Sequence, residues 1–344
     1  MRTRLDIRRI RAARRVIDPV FLDSPLYRCE ALEPLLGCWL SIKLETANPV
    51  RSFKGRGTEV VADQLARSDS RAVVCASAGN LGQALAWSGR RRDLDVTVVA
   101  SRFATPAKLD RIRALGATLE LVDGDHELAR ERAAAIARYD GIRLLEDSLD
   151  LETCEGAATI ALELAASFTQ YDDVPYDDLP PRSVAPYDSS TGRAAADRPV
   201  VLVALGGGAM ATGIGYVLKT LTPYVELVCV QPHGAPALTR SWHARRVIST
   251  DTAVTIADGV AGRHPIPEVL DDLLQVADDA VLVQESSIVT AIRLLHDHAG
   301  LIVEPSAALG VAAIFEDPAR FAGRPVTTII CGSNVDRTKY REWI

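Results

Sequence analysis

The stretch AVVCASAGNLGQALAWSGRRRDLDVTVVAS, residues 72–101, decides the fold. It opens with a short apolar run, turns through Ser, Ala, Gly and Asn, and continues as a helix-length segment. A second β-branched run, DVTVVAS, follows. Two strands joined through a helix lie parallel, because a crossover returns the chain to the same edge of the sheet. Strands that read as continuous apolar runs are covered on both faces.

The same alternation extends in both directions. PAKLDRIRALG and HELARERAAAIARYDG read as helices, ATLELVD and IRLLE as strands, and TCEGAATIALELAASF as a long helix. PVVLVALGGG, VELVCVQP, AVLVQ and PVTTIICG then read as strands. MATGIGYVLKTL, SSIVTAIRLLHDHAG and PSAALGVAAIF read as helices. The pattern predicts an α/β protein with two open, mostly parallel sheets, helices on both faces, and a ligand in the cleft between two domains. A smaller domain is expected over 71–149, and a larger one over 1–70 plus 150–344. The segment 169–198 is rich in Pro, Asp, Ser and Tyr and has no apolar period, so a polar surface insertion is expected there.

Composition narrows the function. A net charge of −6 argues against a general nucleic-acid binder. No apolar run approaches the ~20 residues of a membrane span. The six cysteines are scattered without a CxxC pair, which suits a reducing, cytoplasmic setting and offers no zinc site. The start, MRTRLDIRRIRAARR, is Arg-rich, as transit peptides are. It runs on without a cleavage-like stretch and reads better as the basic face of a first helix.

Three strand ends carry unusual residues, where ligands sit in open α/β sheets. Ser77-Ala78-Gly79-Asn80 precedes a helix, whose free amides and positive end suit a carboxylate or phosphate. Gly206, Gly207 and Gly208 let the backbone wrap an anion at the mouth of the next helix. Cys331 ends a strand beside Gly-Ser-Asn. A dinucleotide pattern can be forced on Gly206, Gly208 and Ala211, but the strand that should supply a ribose-binding acid ends in Gln231. One further residue stands out. Lysine occurs only at 43, 54, 108, 219 and 339, against a total of 39 lysines and arginines. Lys54 lies in SFKGRG, just before a predicted helix. An amine that must lose its proton and attack a carbonyl cannot be arginine, whose pKa stays above ~12. An amine, a carboxylate site and a phosphate cradle together point to a lysine Schiff base with pyridoxal phosphate and an amino-acid substrate.

The ordered set SPLYRCEAL, KLETANPVRSFKGRG, SAGNLGQALAW, EGAATIALEL, GGGAMATGI, TIADGVA, EPSAALGVAAI and CGSNVD resembles the fold-type II pyridoxal-phosphate enzymes, the tryptophan synthase β superfamily. Within it the chain is most similar to serine/threonine dehydratases. The resemblance implies that Lys54 forms the Schiff base and that Phe53 packs on the cofactor ring. Asn80 would meet the ring hydroxyl, and Cys331 would lie near the pyridine nitrogen. Gly206, Gly207, Gly208, Ala209 and Met210 would hold the phosphate, with Ala209 replacing a usual glycine. Ser77, Ala78, Gly79, Asn80 and Leu81 would hold the substrate carboxylate. Residues of LLEDSLDLE, Thr255 to Gly259 and Glu304 to Ser306 would line the β-substituent. Leu81 replaces a frequent histidine, and Ala78 replaces the serine of serine racemases, which weakens a racemase reading. No metal is expected. The racemase-type site lacks its acids after Gln231, and His296 and His298 fall on different sides of their helix.

The reaction implied is α,β-elimination on L-threonine or L-serine, giving a 2-oxo acid and ammonia, with the cofactor phosphate as acid for the leaving hydroxyl. A cysteine-synthase-like β-replacement on an activated serine derivative is the alternative, followed by a non-catalytic pyridoxal-phosphate-fold protein. A homodimer without nucleic-acid or membrane partners is expected.

Overall fold

The computed structural model describes residues 1–169 and 198–344, so most of the insertion at 169–198 lies outside the described residues. The strands, in chain order, are β1 (Leu26–Arg28), β2 (Trp39–Leu44), β3 (Ala72–Ala76), β4 (Asp95–Ser101) and β5 (Thr118–Val122). They continue as β6 (Arg143–Leu145), β7 (Val200–Ala204), β8 (Glu226–Pro232), β9 (Asp279–Val283) and β10 (Pro325–Ile330). They form two sheets. The larger has the order β1-β2-β10-β7-β8-β9, the smaller β5-β4-β3-β6. All pairings are parallel except β1 with β2. The two mostly parallel sheets expected from the apolar runs are therefore present.

Both orders place the site. In the smaller sheet, β3 has β4 on one side and β6 on the other, so the connections diverge at its carboxyl end. In the larger sheet, β7 leads to β8 and β9 on one side, while β10, which the chain enters from β9, lies on its other side between β7 and β2. Such switch points open a crevice beyond the strand ends. Ser77, Gly206 and Cys331 each follow one of these strands.

The apolar alternation has its physical counterpart in the cores. Val200, Val201, Leu202 and Val203 of β7 are buried in one large cluster with Ile160, Leu164, Ile214 and Leu309 from flanking helices. Val73 and Cys75 pack on one face of the smaller sheet with Leu85 and Ile112, while Val74 and Val99 pack on the other with Ala133 and Ile136. One boundary differs from expectation. PSAALGVAAIF is a 3₁₀ turn, Pro305–Ala308, followed by an α-helix, Leu309–Glu316. Pro305 has no amide hydrogen to contribute to a helical ladder.

The helix Lys54–Ala66 is anchored from within. Arg56 is fully buried and places its guanidinium on Glu45 at 2.8 and 2.9 Å and on Glu163 at 2.7 Å, with Thr159 at 3.0 Å. Lys43, also buried, pairs with Glu163 and donates to the Ser24 carbonyl at 2.6 Å. Burial alone would raise the Glu163 carboxyl, but Arg56 and Lys43 hold it below the usual carboxylate range. Two cations and two carboxylates thus neutralise one another inside the protein, where an unpaired charge would be costly. Gly57 and Gly156 let this helix meet Leu151–Thr169 backbone to backbone. A methyl at Gly156 would stand 2.5 Å from the Gly57 Cα. Lys54 therefore projects from a helix start that is fixed at its third and fourth residues, Arg56 and Gly57.

Candidate active site

Lys54 is the first residue of its helix, and Phe53 is held in place because its amide donates to the Cys331 carbonyl at 3.1 Å. A bridge between Ser52 and Gly332 ties the same two segments together. The Lys54 Nζ lies over the Phe53 ring, 4.7 Å from its centroid. It donates to the Asp147 Oδ2 at 2.6 Å. The other oxygen, Asp147 Oδ1, is buried and has no hydrogen-bond partner among the described residues.

The segment Asp147–Ser148 joins this amine to the glycine loop. A methyl at Gly207 would stand 2.6 Å from the Ser148 Oγ and 3.9 Å from the Asp147 Oδ2. The Ser148 Oγ accepts the Ala209 amide at 3.0 Å, which leaves the hydroxyl proton free to be donated. Ser148 itself has φ +68, an uncommon value for a residue other than glycine. Gly208, at φ +109, turns the chain into the helix Ala209–Leu221. The first amides of that 13-residue helix have no intrahelical acceptor, so this positive end suits an anion. The side chains of Ala209 and Met210 are buried in the core, so only their backbone serves this loop.

At the end of β3, the Gly79 amide donates to the Ser77 Oγ at 3.2 Å, and the helix Asn80–Arg90 begins. The Leu81 side chain packs in the core of the smaller sheet. It contributes no side chain to the cleft, because an apolar residue one step into this helix gains more from burial than from exposure. Asn80 crosses to the other sheet. Its Nδ2 donates to both oxygens of Glu304, at 2.9 and 3.1 Å, and its Oδ1 accepts from the Asn334 Nδ2 at 2.8 Å. Burial pushes the Glu304 carboxyl up to about 7, against the pull of the Asn80 amide. Burial also pushes the Cys331 thiol well above the usual thiol range, which keeps it protonated. Further polar contacts span the cleft: Lys108 with Asp258 at 2.5 Å, Arg263 with Asp125 at 3.1 Å, and Arg111 with the Pro49 carbonyl at 3.0 Å.

The sequence-derived residues thus gather from three strand ends: Lys54 and Phe53 against Cys331, Asn80 against Glu304, and the glycine loop against Ser148. Asp147 and Glu304, named in the sequence only as parts of lining segments, are the direct partners of Lys54 and Asn80. The donor set fits an aldehyde–phosphate cofactor. One lysine amine and one glycine cradle at a helix start share Asp147 and Ser148 as neighbours, and an aromatic ring lies beside the amine.

A family profile described as "Pyridoxal-phosphate dependent enzyme" matches residues 17–332. The L-threonine ammonia-lyase of Thermotoga maritima is 28% identical over 328 residues, covering 95% of this chain and 75% of that protein. The L-threo-3-hydroxyaspartate ammonia-lyase of a Pseudomonas species is 27% identical, covering 92% of this chain and 91% of that one. Among solved structures, the processed form of threonine deaminase isoform 2 from Solanum lycopersicum superposes with a TM-score of 0.82 at 26% identity. The match covers 100% of this chain and 89% of that one.

Proposed function

The chain belongs to the family of pyridoxal-phosphate-dependent enzymes, and from that premise we propose that it is an ammonia-lyase for a small β-hydroxy amino acid, L-threonine or L-serine. The observation that carries the reading is Lys54, an amine held 2.6 Å from a carboxylate beside a glycine cradle at a helix start.

Pyridoxal 5′-phosphate, when bound, supplies an electron sink for the pair left at the substrate α-carbon. Lys54 would bond its aldehyde, and the backbone of Gly206 to Met210 with the Ser148 hydroxyl would hold its phosphate. Phe53 would pack on its ring, and Cys331 would face the ring nitrogen as a neutral, weak donor. Asn80, oriented by Glu304 and Asn334, would reach the ring hydroxyl. The Ser77 hydroxyl and the amides of Ala78 to Leu81 would hold the substrate carboxylate, which fixes the α-hydrogen in front of Lys54. A positioned base gains rate because the transfer is then effectively intramolecular. Lys54, as a free neutral amine, would then be the base that removes the α-proton. Loss of the β-hydroxyl leaves an enamine, which water converts to a 2-oxo acid and ammonia.

The reading is supported by two ammonia-lyases aligned along nine-tenths of the chain. These differ in their named substrates, so the test includes both. Purified enzyme with cofactor is mixed with L-threonine, L-serine or L-threo-3-hydroxyaspartate, and ammonia and 2-oxo acid are measured. Product from threonine or serine is expected. A protein that shows the visible band of the lysine-linked cofactor but gives no product from either would overturn the reading.

A further inference from the structure

We propose that Asp147 is a catalytic acid–base residue that carries the α-proton from Lys54 to the departing β-hydroxyl. The proposal rests on the ammonia-lyase reading and names a proton path within the same site.

Three observations place Asp147 on that path. Its Oδ2 touches the Lys54 Nζ at 2.6 Å, which is hydrogen-bond distance from the base itself. Its Oδ1 is buried without a partner among the described residues, an acceptor position left unfilled there. The sheet register then sets it beside the substrate. Cys75 of β3 pairs with Leu145 of β6. Ser77 and Asp147 each lie two residues further on, at the ends of neighbouring parallel strands about 5 Å apart. The carboxylate clamp and the partly exposed Asp147 side chain therefore border the same space. An amino acid held by its carboxylate at Ser77, with its α-hydrogen toward Lys54, brings its β-carbon toward Asp147.

A carboxylate with one oxygen on the lysine and one oxygen free suits a relay better than a purely structural ion pair. A structural pair would have both oxygens satisfied, as Glu45 and Glu163 do around Arg56. The Asp147 side chain is 31% exposed. Its carboxyl can turn about the final side-chain bond and interchange its oxygens, since that torsion is broad.

The step balances without a further reagent. The Cα–H bond breaks and its proton goes to the neutral Lys54 amine. The resulting ammonium passes a proton to the Asp147 Oδ2, which restores the amine and makes a carboxylic acid. The carboxyl turns and gives this proton to the β-oxygen. The Cβ–O bond breaks with its pair on oxygen, water leaves, and the pair from Cα–H becomes the Cα–Cβ double bond. Asp147 returns to the carboxylate. The resemblance assigned the same proton to the cofactor phosphate, so the two routes make different demands on Asp147.

The test compares leaving groups in the holoenzyme. Hydroxide needs a proton to depart and chloride does not, so L-serine and β-chloro-L-alanine are given to wild type, Asp147→Asn and Asp147→Glu. Cofactor attachment is followed separately by the visible band and by borohydride reduction with peptide mapping. Asp147→Asn is expected to keep the cofactor on Lys54. Its rate with L-serine should fall about 10²-fold or more, the usual contribution of a positioned acid, while β-chloro-L-alanine is affected far less. Asp147→Glu should recover part of the L-serine rate. Undiminished L-serine elimination by Asp147→Asn would overturn the relay and return the role to the phosphate. Equal losses on both compounds would also overturn it, because Asp147 would then act on Lys54 alone. Loss of the cofactor from Asp147→Asn would assign the residue to cofactor capture instead. A wild type that carries the cofactor and eliminates from neither compound would sink the ammonia-lyase reading, and the relay with it.

Discussion

Replacing Glu304 with glutamine should change how stability depends on pH, and the size of the change can be worked from its surroundings. Glu304 is 7% exposed, accepts both contacts from Asn80, and receives the Asn334 amide at 3.3 Å. Burial raises its carboxyl from an ordinary 4.5 to about 7. The folded state then binds more protons than the unfolded state between those two values. The contribution to stability is full below the lower value and is lost as pH rises through the upper one. The shift corresponds to about 3 kcal/mol in all, of which roughly 2.5 kcal/mol falls between about pH 5 and about pH 8. Glutamine keeps the shape and an acceptor for Asn80 but does not titrate. Urea unfolding of cofactor-free wild type and Glu304→Gln at the two pH values gives the difference directly. The wild type should lose about 2.5 kcal/mol relative to the variant on going to the higher pH. A difference that stays constant would refute the reasoning, since the carboxyl would then titrate alike in both states.

Two other substitutions probe the frame of the site. Arg56→Ala removes the cation shared by Glu45 and Glu163 and leaves only Lys43 among two buried carboxylates. A loss of about 3–5 kcal/mol in urea unfolding is expected, and a loss below about 1 kcal/mol would show that the network relaxes around the gap. Gly207→Ala places a methyl 2.6 Å from the Ser148 Oγ, so Ser148 must shift and give up the Ala209 amide. Cofactor titration followed by absorbance should show about tenfold weaker binding, the equivalent of one hydrogen bond. Unchanged affinity would remove Ser148 from the phosphate cradle.

Much of the fold was legible because buried parallel strands are written as continuous apolar runs, as in VVLVA and VTVVA. β1 and β2 were not legible in this way. β1 spans only Leu26–Arg28, and Lys43 interrupts the apolar run of β2. The interruption makes sense once Glu163 is seen beside it, 120 residues away in sequence. The site divides similarly. Lys54 stands out by its rarity, and Gly206 to Gly208 by composition, both local signals. Asp147 and Glu304 acquire their roles only through partners 93 and 224 residues distant, which no local pattern encodes. Leu81 and Met210 occupy the motif positions while their side chains belong to the core, because a motif fixes the path of the backbone and not where each side chain packs.

The most direct measurement is to load the enzyme with pyridoxal 5′-phosphate, reduce it with borohydride, and map the peptides by mass spectrometry. A pyridoxyl group on Lys54, and unmodified Lys43, Lys108, Lys219 and Lys339, is the expected result. An unmodified Lys54, or a label spread over the other lysines, would contradict the assignment of this amine as the centre of the chemistry.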